Sequence, residues 1–200
     1  MKYRLLIVLL LVLILGCSKK TEYDNAKAKL EKLKSYEALV EVDIYGNKGV
    51  SHYKTQQFFM EPNLIRIETI SPSFLKGKIL IFDGNKYYIF HPIINQKYSI
   101  EKVKDDDAFI FMGIIDKRIF LTQDAKYSYK KIDEKEYISI KVNLEESSPY
   151  RKYAEIYVDK ETLLPKILVL YDDKENLRVN INFTEFKYNK AIDDKLFKGI

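Results

Sequence analysis

The sequence of 200 residues contains one cysteine, two histidines, no tryptophan, seven glycines and five prolines. A single cysteine cannot form a disulfide within the chain, so an apolar core must stabilise the fold, and zinc sites built from several thiolates are excluded. The 34 basic and 29 acidic residues are interspersed, without the basic block or one-sided basic helix that is typical of nucleic-acid binding. Composition and length therefore predict one domain that does not bind nucleic acid.

The cysteine, Cys17, follows a segment with the features of an export signal. Lys2 and Arg4 precede an unbroken run of Leu, Ile and Val over residues 5–15. At about 1.5 Å per residue, this run reaches only about half-way across a hydrocarbon core that is about 30 Å thick. It therefore has the length of a signal-peptide apolar region and not that of a membrane span.

The residues Ile14-Leu15-Gly16-Cys17 resemble the bacterial lipobox, in which the cysteine thiol receives a diacylglyceryl group and the cysteine becomes the new N-terminus. The resemblance implies a signal peptide over residues 1–16, a lipidated N-terminus and tether over residues 17–23, and a single domain over residues 24–200. Acyl chains on Cys17, palmitate among them, would hold this domain at the extracytoplasmic side of the cell membrane. The alternatives are a secretory signal with an incidental cysteine and an uncleaved N-terminal anchor.

Hydrophobic periodicity predicts a mainly β (α+β) fold. Asp24 is a candidate N-cap for an amphipathic helix that ends near Tyr36. From Val40 the period changes to two, and turns such as Asp83-Gly84-Asn85 separate the alternating segments. About eleven strands with short connections must be antiparallel. We therefore predict a strongly curved, half-open antiparallel β-barrel with helices on its concave side.

One apolar segment interrupts the strands. Three aspartates at residues 105–107 precede the sequence AFIFMGIIDKRIFL, and carboxylates in this position predict a helix start. The helix would be apolar around nearly its whole circumference, which predicts burial on several sides. We expect Phe109, Met112 and Ile115 to face the concavity, either as ordinary core or as the lining of a lipid-sized cavity that the helix covers.

The sequence offers no catalytic constellation, so we expect a protein that is not an enzyme and has no cofactor or metal. The two histidines, His52 and His91, lie on separate predicted strands without a second ligand at metal-binding spacing. The sequence around Asp172, Asp173 and Glu175 lacks the glycine and the spacing of a calcium loop and indicates a solvated turn.

The C-terminal sequence VDKETLLPKILVLYDDKENLRVNINFTEFKYNKAIDDKLF, residues 158–197, resembles the end pattern of the LolA/LolB lipoprotein-carrier superfamily. In that pattern Val-Asp ends a strand, Leu-Pro opens the next, a hairpin leads to a Phe-rich strand, and Asn followed by Asp-x-x-Leu-Phe closes the domain. The matching residues here are Val158, Asp159, Leu164, Pro165, Phe183, Phe186, Asn189, Asp194, Leu196 and Phe197. The resemblance covers residues 23–197 and implies the curved-sheet fold.

Within that superfamily, the lipobox, composition and size are most similar to the clostridial germination lipoproteins of the GerS type. This similarity implies a non-enzymatic partner of an N-acetylmuramoyl-L-alanine amidase that acts on the spore cortex, and a place at a forespore or spore membrane. Fold analogy alone does not transfer function. An enzyme is one hypothesis, but the sequence offers no catalytic constellation for it, and two other hypotheses remain. The first is an anchored protein-binding module whose edge strands serve an exported protein or a second copy of the chain. The second is a lipid or lipoprotein carrier or receptor that holds acyl chains in its concavity.

The lipobox generates a prediction. We expect Cys17→Ala to leave the fold intact and to release the protein from the membrane, because Cys17 lies outside every predicted strand and helix and two acyl chains are needed for stable anchoring. Fractionation of cells that express the variant measures this. A variant that stays wholly in the membrane pellet would contradict the lipoprotein interpretation.

Overall fold

The computed structural model describes residues 21–101, 110, 112–144 and 148–199, and its described part forms one antiparallel sheet of eleven strands. In chain order these are β1 (Ser35–Gly46), β2 (Gly49–Met60), β3 (Leu64–Ser71), β4 (Ile79–Phe82), β5 (Lys86–His91), β6 (Gln96–Glu101), β7 (Lys126–Ile132), β8 (Lys135–Asn143), β9 (Tyr153–Asp159), β10 (Pro165–Tyr171) and β11 (Leu177–Tyr188). The spatial order is β6-β5-β4-β3-β2-β1-β11-β10-β9-β8-β7, so the first and last strands meet at the centre.

The sheet is curved but not closed, because β6 and β7 form its two edges and do not pair with each other. The predicted mainly β, half-open fold is therefore confirmed. The strand that the sequence pattern does not identify is β7, since its sequence KYSYKKI has no apolar alternation. Pairing with β8 places this edge strand in the sheet, and Tyr127 on one of its faces is half-buried against the core.

Alternation along the strands places the main core on one face. Val40 and Val42 of β1 lie on the same face as Ile140 of β8, Ile156 of β9 and Ile181 of β11, and all five are buried in one cluster. A register shift between Leu39 and Val40, where β1 pairs with β11, increases the local twist. The helices and the inserted segment cover this concave face.

Helix α1 (Glu22–Glu31) packs against the core through Ala26 and Leu30. Its N-cap is Thr21 and not Asp24, so the predicted cap is wrong. The Asp24 carboxylate instead accepts hydrogen bonds from Thr21 N (2.9 Å) and Thr21 Oγ1 (2.8 Å), which completes a capping box. The helix also ends earlier than predicted, because Tyr36 belongs to β1, which pairs with both β2 and β11.

The predicted inserted helix is confirmed only in part: Gly113 N donates to Ile110 O (3.0 Å) in a short 3₁₀ turn at residues 110 and 112, and the helix is then interrupted. The three aspartates, Phe109 and Phe111 lie outside the described residues. Gly113 has φ +91°, and a Cβ there would lie 2.9 Å from Ile181 Cγ2, so the chain turns at this glycine. Residues 114–116 are not helical, and a short helix α2 (Lys117–Phe120) follows. Burial is nevertheless as expected, since Ile110, Ile114 and Ile115 all lie in the core.

Asn189, at the end of β11, joins the two ends of the chain. Its Oδ1 accepts hydrogen bonds from Lys34 N (2.8 Å) and Ser35 N (3.3 Å), and its Nδ2 donates to Lys32 O (2.9 Å). Asn189 has φ +49°, a left-handed conformation that asparagine tolerates better than most residues. One side chain therefore supplies the backbone partners for the link between α1 and β1.

We expect Asn189→Ala to destabilise the domain by about 1–3 kcal/mol, because it removes the hydrogen-bond partners of three backbone groups. Asn189→Gly also removes the side-chain hydrogen bonds but fits the left-handed backbone without strain. Comparison of the two variants therefore separates the loss of the hydrogen bonds from the backbone strain. Chemical denaturation measures the free energy of unfolding, with Asn180→Ala in the same strand as the control. Equal midpoints for Asn189→Ala and Asn180→Ala would show that the link contributes nothing.

Candidate functional site

An apolar groove of about 370 Å³ lies on the concave face, on the half of the sheet formed by β1–β4. Its volume is within the range of small-molecule sites, about 300–1,000 Å³. Most of the lining is aliphatic or aromatic, with two threonines and one lysine: Val42, Ile44, Tyr53, Thr55, Ile67, Thr69, Leu75, Lys78, Leu80 and Met112. The groove can accept an apolar ligand with few polar groups.

A buried glutamine fixes the inserted segment beside this groove. Gln57 Nε2 donates to Met112 O (2.7 Å) and to Thr55 Oγ1 (3.1 Å), and both of these residues also line the groove. Gln57 Oε1 is buried, and no donor in the described part of the chain reaches it. A buried amide oxygen without a donor is costly, which makes this atom an available acceptor next to the groove.

The structure separates the residues that the sequence placed in the cavity. Met112 lines the groove, whereas Ile115 has no exposed surface and lies in the core, where its N–H donates to Tyr36 Oη (3.2 Å). Phe109 lies outside the described residues. Occupation of the groove by a lipid stays a prediction.

Tyr36 and Lys117 hold the inserted segment at the end of the sheet that is farther from the groove. Burial raises the pKa of Tyr36 well above its usual range, and the hydrogen bond from Ile115 N offsets only part of this rise. Lys117 Nζ donates to Glu31 O (2.7 Å) and Leu33 O (3.0 Å) at the C-terminus of α1 and pairs with Glu61. The sequence pattern does not identify these contacts of Lys117, because its two carbonyl partners lie 86 and 84 residues away along the chain.

The two edges of the sheet differ in chemistry. All six residues of β6 are exposed, and they include Tyr98 and Ile100. On β7, Lys126, Lys130 and Lys131 are exposed, and the Tyr129 hydroxyl donates to Glu22 of α1 (2.7 Å). Lysines on an edge strand oppose pairing with another chain. Since β7 carries three exposed lysines and β6 carries one, Lys97, β6 is the less protected of the two edges in the described sheet.

Histidine, aspartate and glutamate side chains of the described residues are the groups that could bind a metal ion. No group of three or more His, Cys, Asp or Glu side chains in that part of the chain could hold a metal ion. His52 Nδ1 lies 2.7 Å from Asp43 Oδ1 at an exposed position, and His91 Nδ1 is buried without a partner among the described residues. No helix among the residues with a described position is long and apolar enough to cross a bilayer.

The acidic turn between β10 and β11 is not simply solvated, which corrects the expectation for Asp172. Asp172 is buried and pairs with Arg178 Nη2 (2.7 Å). Burial alone would raise the pKa of Asp172, but hydrogen bonds from Asn176, Arg178 and Lys174 N lower it to about 2. The carboxylate therefore stabilises the turn above pH 3.8, and this stabilisation is lost as the pH falls towards 2.

Comparison of the sequence with known families gives one match over nearly the whole chain. The family described as "Sporulation protein YdcC-like" matches residues 1–197. The sporulation protein YdcC of Bacillus subtilis (strain 168) is 24% identical over 201 residues, which cover 96% of this chain and 58% of the relative. The chain thus spans little more than half the length of that relative.

Solved structures with the same fold share little sequence with this chain. An uncharacterised conserved protein of Thermus thermophilus has a TM-score of 0.58 at 14% identity, with 89% of this chain and 94% of that chain covered. A chain in the complex of the CwlD amidase with the GerS lipoprotein of Clostridioides difficile has a TM-score of 0.54 at 20% identity, with 88% and 100% covered. A putative outer membrane lipoprotein-sorting protein domain of Vibrio parahaemolyticus has a TM-score of 0.50 at 10% identity, with 88% and 94% covered. The likeness to LolA-type and GerS-type proteins is confirmed for the fold.

The Lys117 contacts generate a prediction. We expect Lys117→Met to lower the free energy of unfolding by about 1–3 kcal/mol, because the last carbonyls of α1 lose a charged donor. Ile115→Asp should cost more, since it places an unpaired carboxylate in the core. Thermal melts test both variants, with Lys27→Met on the exposed face of α1 as the control. Melting temperatures of Lys117→Met and Lys27→Met that coincide would contradict the assigned contacts.

Proposed function

Since the chain belongs to the family of YdcC-like sporulation proteins, we propose that it is a non-catalytic binding module of sporulation that engages another exported protein through the free edge of its sheet. The observation that carries the proposal is the edge strand β6. Its side chains are exposed, apolar ones among them, and its outer side pairs with no strand of the described sheet. Anchoring through acyl chains on Cys17 is part of the same proposal.

Strand addition at β6 needs no change in the rest of the sheet. An edge strand has a row of N–H and C=O groups that a partner strand can pair with, and alternate side chains then set specificity. Tyr98 and Ile100 stand opposite Ile89 and Tyr87 of β5, so they extend the concave face of the sheet outwards. A partner strand would bury apolar surface and main-chain polar groups at once.

A cell-wall amidase is the partner that we propose. One chain with this fold was solved together with the CwlD amidase, in a structure that also contains the GerS lipoprotein, and this supports an enzyme of that class as the partner. A module without catalytic groups changes the activity of an enzyme only if it binds the active form more tightly than the inactive form. The proposed role is therefore selection of the active amidase at the membrane where the module is anchored.

We expect Tyr98→Lys together with Ile100→Lys to abolish co-elution with the amidase and its activation, because lysines on an edge strand oppose strand addition. The test mixes the chain with amidases of the same genome and measures co-elution and peptide release from peptidoglycan. Tyr150→Lys replaces a tyrosine away from the edge that is even more exposed than Tyr98, and serves as the control. Unchanged co-elution of the double variant would contradict the role of β6.

The groove favours a second candidate function, a lipid or lipoprotein carrier or receptor. Its volume of about 370 Å³ and its mainly aliphatic and aromatic lining suit an acyl chain. Lipid extraction of the purified chain followed by mass spectrometry distinguishes the two functions. Stoichiometric phospholipid or acylated peptide, combined with no amidase in co-elution, would replace the binding-module proposal with the carrier.

A further inference from the structure

The direction of the strands gives the sheet two ends with different surroundings. At one end lie α1, the start of β1, the turn between β2 and β3, and Asn189. At the other end, here called the distal end, lie the connections β1–β2 (residues 47–48), β3–β4 (residues 72–78) and β5–β6 (residues 92–95) on one half of the sheet, and the acidic β10–β11 turn (residues 172–176) on the other half. With 12 residues in β1 and about 3.3 Å per residue, the two ends are roughly 40 Å apart.

Large apolar side chains protrude from the distal end. Phe74 is 66% exposed, Ile93 is 58% exposed and Ile94 is 56% exposed. The two connections that carry them touch, because a Cβ on Gly77 would lie 3.1 Å from Pro92 Cγ. These three side chains form one patch, here called the distal patch.

Basic residues surround the distal patch, and carboxylates are missing from the same stretches of sequence. Lys48, Lys76, Lys78 and Lys97 lie in or next to the three distal connections. Residues 44–60, 69–82 and 86–100 contain no Asp or Glu. In the described part of the chain, none of these four lysines forms an ion pair.

We propose that the distal patch docks on a membrane surface rich in anionic lipids. Apolar side chains on separate short connections can each enter the headgroup region, and lysines around them attract the anionic surface. The exposed Phe and Ile side chains match the apolar part of a lipid surface. The lysines, which form no ion pair in the described part of the chain, match its negative charge. Apart from Lys97, which lies in β6, the docking surface is separate from the strand proposed as a protein contact, and it does not depend on the amidase proposal.

The position of the patch gives the docking a direction. Thr21, the first described residue, lies at the end of the sheet opposite the patch, where Glu22 contacts Tyr129 and Lys160. In the proposed anchored form, three residues separate Cys17 from the helix cap Thr21, and this link spans at most about 14 Å when extended, so the patch reaches the membrane that holds Cys17 only if the domain tilts.

Vesicle co-sedimentation tests the proposal with a chain that begins at Ser18, which keeps every described helix, strand and core residue. We expect binding to vesicles with about one-third phosphatidylglycerol, weakening with salt, and no binding to pure phosphatidylcholine. Phe74→Ser with Ile93→Ser should reduce binding at least tenfold, because each substitution removes the favourable free energy of transferring an apolar side chain from water into the membrane. Lys76→Gln with Lys78→Gln should reduce binding by roughly tenfold.

Controls decide between a lipid surface and other occupants. Tyr150→Ser removes an exposed aromatic side chain elsewhere, and Lys130→Gln with Lys131→Gln removes two charges at the opposite edge of the sheet, so both should bind vesicles like the parent chain. Circular dichroism confirms folding of each variant. Vesicle binding that the patch variants leave unchanged, or no binding at all, overturns the proposal. If no vesicle binding occurs and Phe74→Ser abolishes a dimer that is seen in sedimentation analysis, the patch is assigned to a second copy of the chain. If Phe74→Ser instead abolishes co-elution with an amidase, the patch is assigned to a protein partner.

Discussion

The pairing of β1 with β11 is the constraint on which the rest of the structure depends. These are the first and the last strands of the chain, and they pair at the centre of the sheet. Their pairing leaves β6 and β7, which are neighbours in sequence, at opposite edges. The connection between β6 and β7 therefore joins the two edges, and the described residues Ile110, Ile114 and Ile115 of this connection are buried in the core on the concave face.

The groove follows from the position of this connection. A segment that lies on a curved sheet covers only part of its concave face, and here the covered part is the end where Lys117 and Tyr36 hold the segment. The remaining concavity over β1–β4 is the groove, and Met112 forms part of its wall. Gln57 fixes the path of the segment at the boundary, because glycine is the residue type that fits at position 113 between Gln57 and Ile181 without displacing them. The size of the groove is thus set by the connection and not by the sheet.

The sequence predicted those features that depend on neighbours in the chain. Alternation in β1, β8 and β9 and the turn Asp83-Gly84-Asn85 are local, and they indicated the strands, the fold class and the burial of the inserted segment. What it did not predict depends on distant partners. Nothing local distinguishes Lys117 as the donor to α1, Asp172 as a buried carboxylate, or KYSYKKI as an edge strand. Of the two described residues that were expected in the cavity, Met112 lines the groove, whereas the turn at Gly113 directs Ile115 into the core.

The difference between the two edges also determines what kinds of assembly are available to this fold. A sheet with two open edges can add copies of itself without limit, and such head-to-tail addition produces filaments. Here β7 carries three exposed lysines and contacts α1, which oppose the addition of a strand. Of the two edges in the described sheet, β6 is therefore the one at which a strand can be added. Growth by strand addition must then stop after one event, whether the added strand comes from a copy or from another protein. The stoichiometry of any such complex is limited to one strand donor per chain.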